Sequence, residues 1–352
     1  MHDEQDAVQG KKILITGHTG FVGSWITKVL LHKGARIYGI SLDVPTTPSM
    51  FEFERIGSKI YDKRGDVRNL HNLVSALREF SPDVVIHLAA QPLVLNSYKF
   101  PLDTFTTNII GTVNLLEAIK LTPSVKSAVI FTSDKVYRNT EMGSPFVEDD
   151  RLGGYDPYSA SKSCADIIVT SYRKSFFDNK EVAVSTVRAG NIIGGGDWSQ
   201  NRLIPDAVRA AISGQAIKVR HPNAIRPWQH ILDVVYATLR LISNMQANPV
   251  EYSKDYNIGP KDAVPFTVLR LLESFFNAFG SGKIEFVEHE EPEAGMLNLD
   301  TSLARRELNW TNAITLQGSV RKTAEWYRSY YSRNSRDDLT MAQVLDYEIR
   351  AF

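Results

Sequence analysis

Tyr158 and Lys162 stand four residues apart in Gly153-Gly-Tyr-Asp-Pro-Tyr-Ser-Ala-Ser-Lys162. On a helix that spacing puts the phenol and the ammonium on one face. A phenol ordinarily titrates near ~10. A fixed cation beside it stabilises the phenolate, so Lys162 would make Tyr158 a base usable near neutrality. Upstream, the apolar run Ala128-Val-Ile-Phe131 ends in Thr132-Ser133-Asp134-Lys135. Two hydroxyls, a carboxyl and a second ammonium are thereby delivered at one point. Together these groups suit proton transfer.

The elements that would position them begin with Lys11-Lys-Ile-Leu-Ile-Thr16, a short buried strand. Gly17-x-x-Gly20-x-x-Gly23 follows, and Ser24 to Leu31 continues as a helix. Strand, glycine turn and helix in that order form a dinucleotide-binding context, with the pyrophosphate at the helix N-terminus. The next strand, Ala35 to Ile40, ends in Ser41-Leu42-Asp43. Asp43, or Ser41 in its place, would accept hydrogen bonds from the adenosine ribose. No arginine follows immediately to welcome a 2′-phosphate, so NAD is expected rather than NADP. Further βα alternation runs through Lys59–Tyr61, a helix Leu70–Phe80, Val84–Ala90, a helix Asp103–Ile119, Ala128–Phe131, the helix from Tyr158, and Ala183–Val187. Six or seven strands in this rhythm predict an α/β fold, a Rossmann-type doubly wound parallel sheet. Ligands of such sheets bind beyond the carboxyl ends of the strands, where both Ala89-Ala90-Gln91 and Thr132–Lys135 fall.

Composition sets outer bounds. The 352 residues are 43% hydrophobic and 23% charged, with 40 basic and 40 acidic side chains. That balance argues against a nucleic-acid or anionic-membrane partner. One cysteine, Cys164, excludes an internal disulfide and is expected as a buried structural thiol. No apolar leader or membrane-length run is present, so a cytoplasmic, soluble protein is expected. No metal site is expected.

With those residues in place, the chain resembles the extended short-chain dehydrogenase/reductase family, and within it the nucleotide-sugar 4,6-dehydratase branch that acts on CDP-glucose. The resemblance rests on the glycine triplet, Tyr158-x-x-x-Lys162, Ala89-Ala-Gln-Pro-Leu-Val94, Thr132-Ser-Asp-Lys135, Arg188-Ala-Gly-Asn-Ile-Ile-Gly-Gly-Gly-Asp-Trp198 and Ala224-Ile-Arg-Pro-Trp-Gln-His230. It implies an internal redox dehydration with NAD. Tyr158 would take the sugar 4-hydroxyl proton, Ser133 would bond the 4-oxygen, and Asp134 would act as acid for the departing C6 hydroxyl. Lys135 would serve as amine base at C5, or position that proton for another base. By the same resemblance the cofactor contacts are Gly17, Thr19, Gly20, Phe21, Val22, Gly23, Asp43, Asp66, Val67, Leu88, Ala89, Ala90, Asn108, Thr132, Tyr158 and Lys162. The branch carries an arginine where Leu95 stands, and other residues in the 142–147 stretch, near the expected substrate entrance. The competing reading is a nucleotide-sugar 4-epimerase, which needs no acid and base for water loss; Asp134-Lys135 argues against it.

Beyond Arg188 the rhythm breaks. Gly194-Gly-Gly-Asp-Trp198 reads as a flexible loop suited to covering a ligand. Substrate contacts are expected from Gln91, Ser133, Asn191, Arg202, Arg226 and His230. Arg202 and Arg226 are assigned to the diphosphate, since guanidinium forks match phosphate oxygens; His230 either binds substrate or is a satisfied structural histidine. The expected division is a polar tail 1–10, an NAD-binding domain 11–190 with 229–259 returning to it, a smaller mixed α/β substrate domain from 191–228 and 260–335, and a C-terminal tail or arm 336–352. Leu297–Asp300 reads as a short strand and Glu288–Glu293 as a solvated acidic loop. The resemblance also implies a homodimer through the helices carrying Asn108 and Tyr158.

Overall fold

The computed structural model describes residues 7–139, 144–178, 182–261, 266–288, 296–332 and 338–351. The chain opens with the strand β1 (Lys12–Thr16), the glycine turn and helix α1 (Phe21–His32), followed by β2 (Arg36–Ser41) and β3 (Tyr61–Arg64). Helix α2 (Leu70–Phe80) leads to β4 (Val84–His87), and β5 (Ser127–Phe131) follows a long helix, α3, over 101–120. Helix α4 (Pro157–Tyr172) starts with Asp156 as its cap, the carboxylate accepting Ser159 N–H, and with Pro157 in its first turn. It leads to β6 (Ala183–Ala189) and the two-residue β7 (Ile192–Ile193). Then come α5 (Leu203–Ser213), β8 (Ala216–Val219), β9 (Gln229–His230), α6 (Ile231–Ala247), β10 (Asp255–Ile258), α7 (Val268–Phe279), β11 (Lys283–Phe286), α8 (Leu316–Ser332) and α9 (Leu339–Ala351).

Seven strands form one parallel sheet in the order β10-β6-β5-β4-β1-β2-β3. Alternation along each strand feeds two cores. Ile13, Ile15, Val84 and Ile86 pack with Trp25 and α6 on one face. Leu14, Val85, Ala128 and Ile130 pack with α2, α3 and Val169 on the other. This is the doubly wound Rossmann-type arrangement, buried on both faces as parallel sheets are. A separate two-stranded unit pairs β8 with β11, and β7 pairs with β9.

Several expectations are corrected. The third strand begins at Tyr61, because Ile56–Lys59 coils into a tight 3-10 turn first. Leu297–Asp300 forms no strand; Met296 and Leu299 make isolated bridges to Ile225 and Phe146. Helix α3 is continuous but widens to a π-turn at Thr106–Ile110, around Asn108. The expected C-terminal tail is instead a packed helix. Tyr347 of α9 stacks on Tyr236 and bonds Asp233, and Asp338, just before it, pairs with Lys28. At the other end Ala7 and Val8 are buried rather than part of a solvated tail. Cys164 is exposed on the outer side of α4, not buried. Residues 289–293 of the acidic stretch lie outside the described residues.

Candidate active site

The glycine turn is shaped partly by the chain itself. Gly17 has φ +79°, and a Cβ there would stand 2.6 Å from the Ala89 nitrogen. A Cβ on Gly23 would stand 2.2 Å from the Gly17 carbonyl oxygen. Gly20 differs: its Cβ would come no nearer than 3.4 Å to anything. No side chain caps α1 either, so the N–H groups of Phe21 and Val22 open its N-terminus toward the space beside Gly20. A diphosphate fits that cradle.

At the far end of the turn, Thr19 N–H reaches Ser41 Oγ at 3.4 Å. Asp43 lies beyond it with its side chain fully exposed. No arginine follows Asp43 directly in the chain, but one reaches this corner from the next strand. Strand pairing puts Arg64 opposite Ser41, with its guanidinium 4.0 Å from Asp43 and 2.8 Å from Asp62. Asp66 is taken up by Arg68, which holds its carboxyl below the ordinary range. Val67 is buried against Gly111, where a Cβ would stand 2.6 Å from it.

The end of β4 is tied to β1. Leu88 N–H donates to Thr16 O at 3.0 Å and Ala89 N–H to Thr16 Oγ1 at 3.3 Å, which brings Leu88 to Ala90 beside the turn. The Gln91 amide is spent in its own loop: Nε2 donates to Leu93 O and Thr104 Oγ1, and Oε1 accepts Leu93 N–H. It pins that loop. Asn108 likewise accepts Gln91 N–H at 2.8 Å and donates to Gln91 O and to Ser161 Oγ. With these bonds it clasps the loop to α4. His87 was not singled out by sequence. Its ring bonds Thr16 at 2.6 Å and Thr112 at 3.3 Å, and burial with nearby Lys162 pushes its pKa down to about 3.

The polar cluster after β5 turns sharply, with Asp134–Val136 in a 3-10 turn. Ser133 Oγ accepts Lys135 N–H at 3.2 Å and donates to Asp134 Oδ1 at 3.0 Å. It also stands beside the Tyr158 phenol and acts to lower its pKa. Asp134 is 4% exposed, and its Oδ2 has no partner. Burial raises its pKa; Lys135, Ser133 and Arg226 act against that rise.

Tyr158 departs from expectation. Burial raises its pKa, Asp134 adds to the rise, and Ser133 and Arg202 oppose it. Lys162 shares its helix face, yet its ammonium donates to Phe131 O at 3.0 Å. The side chain reaches past the phenol to the end of β5, and burial pushes its own pKa down to about 8 with Asp166 resisting. Asp166, one turn further on, was missed although Lys162 plus four pointed to it. It accepts the Thr132 hydroxyl at 2.9 Å and a two-pronged bond from Arg188 at 2.9 and 2.6 Å. The Thr132 hydroxyl therefore turns to Asp166. Arg188 continues to Tyr137 Oη, which donates to Asn257 Oδ1 at 2.6 Å.

On the substrate side, Arg226 and Arg202 are drawn to the Asp134–Tyr158 end, each acting on one of those groups. Arg202 lies 3.5 Å from Asp197. Asn191 joins β7 to β9 through its carbonyl, which accepts Gln229 N–H at 2.9 Å. His230 is fully buried, its Nδ1 caps α6 by accepting Leu232 N–H, its Nε2 has no partner, and its ring meets Trp25 edge-on. The glycine-rich loop before Trp198 is pinned, not a cover. Trp25 Nε1 donates to Gly195 O at 2.9 Å, and Tyr327 Oη bonds both N–H and C=O of Asp197. Leu95 sits in a short helix, Val94–Lys99, and Met142 lies outside the described residues.

A Rossmann-type sheet with a tyrosine, a serine and a buried carboxyl on one rim defines a class of nucleotide-dependent enzyme. The chain belongs to the family described as GDP-mannose 4,6 dehydratase, which matches residues 14–323. It is 38% identical over 346 residues to the CDP-glucose 4,6-dehydratase of Salmonella typhimurium, covering 96% of each chain. Among solved structures, it is similar to dTDP-glucose 4,6-dehydratase from Bacillus anthracis in complex with NAD (24% identity, 92% and 97% of the chains, TM-score 0.76). It is also similar to UDP-glucose 4-epimerase from Thermotoga maritima with UDP-glucose (20% identity, 91% and 99%, TM-score 0.79). No helix among the described residues is long and apolar enough to cross a membrane.

Proposed function

We propose that this chain is an NAD-dependent nucleotide-sugar 4,6-dehydratase, a hydro-lyase, that converts CDP-glucose to CDP-4-keto-6-deoxyglucose. The observation that carries the reading is Asp134, a buried carboxyl with one unpartnered oxygen beside Ser133 and Tyr158. A carboxyl whose pKa is raised keeps a proton to give. An epimerase has no use for such an acid. The 38% identity to a CDP-glucose enzyme supports the choice of nucleotide.

NAD would sit with its pyrophosphate at Gly20 and the α1 N-terminus, where it would accept hydride from the sugar C4 and return it at C6. Tyr158 takes the 4-hydroxyl proton as its phenolate, which Ser133 and Arg202 favour against the rise that burial imposes, while Ser133 holds that oxygen. Once C4 is a ketone, the C5 proton is acidic. Lys135 removes it, or positions it for another base, and Asp134 protonates the C6 hydroxyl as it leaves. The C6 hydroxyl leaves as water with the proton from Asp134; as hydride arrives at C6, the base that took the C5 proton returns one to C5, and the proton taken by Tyr158 restores the Asp134 carboxyl. Arg202 and Arg226 bind the diphosphate at the same rim, with Asn191 beside them. Lys162 and Asp166 hold the end of β5 in place behind Tyr158.

Incubation with CDP-glucose, followed by mass spectrometry, tests the reading. Loss of one water from CDP-glucose, and not from the dTDP, UDP or GDP sugars, is the expected result. An isomerised sugar with no water lost would transfer the chain to the epimerases.

The enzyme is a cytosolic homodimer in this reading. Phe100, Leu102, Ile110 and Ile167 expose 61, 74, 46 and 54% of their surfaces beside and along α3 and α4, a patch of the sort that marks a subunit contact. Ile110→Glu with Ile167→Glu should sediment as a monomer while the parent sediments as a dimer.

A further inference from the structure

At the ribose end of the cofactor cradle stands a chain of groups that the dehydration chemistry does not use. His18 follows the first glycine, and its ring is fully buried. Only glycine at position 39 leaves room for it, since a Cβ there would stand 2.4 Å from the ring. Nε2 is 2.8 Å from Asp62 Oδ1, and Nδ1 is 2.8 Å from Ser41 Oγ. An ionised carboxylate only accepts, so Nε2 carries the proton and Nδ1 must accept the Ser41 hydroxyl. Ser41 then has only lone pairs to offer, one of them toward Thr19 N–H at 3.4 Å. Burial lowers the His18 pKa, which keeps the ring neutral and this direction fixed.

The same Asp62 holds Arg64. Its Oδ2 accepts from the guanidinium at 2.8 Å, Asp43 lies 4.0 Å away, and the guanidinium also lies over the Phe51 ring. An arginine at the tip of this strand pair would otherwise be a ready partner for a ribose 2′-phosphate. Here it faces two carboxylates, leaving the corner with a net negative charge.

We propose that Asp62 makes this end of the site selective for an unphosphorylated adenosine ribose, by neutralising Arg64 and by fixing His18 so that Ser41 presents an acceptor. A 2′-hydroxyl can donate to Ser41; a 2′-phosphate brings only acceptors and negative charge. The inference rests on the reading that the glycine turn binds a nicotinamide dinucleotide.

Dissociation constants of nucleotide-free protein for NAD and for NADP, measured by calorimetry, test it. The parent protein binds NAD the more tightly. Asp62→Asn keeps an oxygen for His18 but removes the charge, and the NADP-to-NAD ratio of dissociation constants should fall by about tenfold, ~1.4 kcal/mol, through tighter NADP. Adding Arg64→Met to that variant should restore the ratio. Asp43→Asn, at a fully exposed position, should shift the ratio the same way by less, and serves if Asp62→Asn fails to fold. A ratio unmoved in both aspartate variants overturns the inference while NAD binding by the parent leaves the function reading standing. A parent protein that binds neither dinucleotide overturns both.

Discussion

Asp134 shows how one residue can be set for acid work by its surroundings alone. At 4% exposure the ionised form loses most of its hydration, and the neighbouring Lys135, Ser133 and Arg226 only partly compensate. The proton is therefore held to higher pH than on an ordinary aspartate. Asp134→Asn keeps the shape and removes the transferable proton. Oxidation at C4 should persist, seen as reduced nicotinamide that accumulates on mixing with substrate, and release of dehydrated product should fall by about 10²–10⁴-fold. In the parent enzyme the elimination step should slow as pH rises through the Asp134 pKa, and this limb should vanish in the variant. Unaltered product formation by Asp134→Asn would end its assignment as the acid. Tyr158, Lys162 and Asp134 were legible in the sequence, because residue type and a four-residue spacing carry chemistry without a fold. The direction of the Lys162 side chain was not. Spacing gives a face, and only the packed strand ends decide that the ammonium reaches Phe131 O rather than the phenol.

Among elements, the glycine turn separates what the fold needs from what a ligand needs. Gly23 is demanded by the turn itself, since a Cβ would collide with the Gly17 carbonyl at 2.2 Å. Gly20→Ala meets nothing closer than 3.4 Å and has an ordinary extended backbone at φ −74°. The weaker N-cap of alanine is offset by the reduced freedom of the unfolded chain, about 0.4–1 kcal/mol. Gly20→Ala should therefore melt within a few degrees of the parent yet bind NAD at least about tenfold more weakly, as its methyl fills the diphosphate cradle. Gly23→Ala should lower the melting temperature markedly. Thermal melts and NAD titrations of the two variants check the contrast; equal affinities for the parent and Gly20→Ala would remove the diphosphate from the turn. The turn and the parallel strands could be read from sequence because strand, glycines and helix are contiguous. Gln91 and Asn108 could not, because what their amides bond lies up to 53 residues away, as from Asn108 to Ser161. Nor could His18 and Asp62, joined across 44 residues. A polar side chain near a site looks available until the fold shows what has already claimed it.

On the scale of the whole molecule, the C-terminal residues were the least legible, because polar composition conceals an apolar stripe of Val344 and Tyr347 that only a partner surface explains. That surface is made by α6 and α8 together, and Asp233 lies at the junction. Its Oδ1 accepts Ala313 N–H at 2.8 Å and the Tyr347 hydroxyl at 3.0 Å, joining the sheet-covering helix to the segment before α8 and to α9. Burial pushes its pKa up from 3.8 to about 7, with those hydrogen bonds resisting. Between these values the folded chain retains a proton that the unfolded chain has released. Stability from this residue is therefore fully present below the unfolded pKa and declines as pH rises toward 7, by at most about 1.4 kcal/mol per pH unit. Asp233→Asn keeps an oxygen for both donors and removes the charge. It leaves an amide N–H where Oδ2 has no partner, a cost of about 1–3 kcal/mol that does not vary with pH. The melting temperature of the variant relative to the parent should thus climb steadily from about pH 4 to 7 and level off above. Thermal melts of the pair across that range read the difference directly and cancel the other titrating groups. A difference that stays flat would mean that Asp233 is already ionised at low pH, and that the C-terminal helix docks on a charged carboxylate rather than a protonated one.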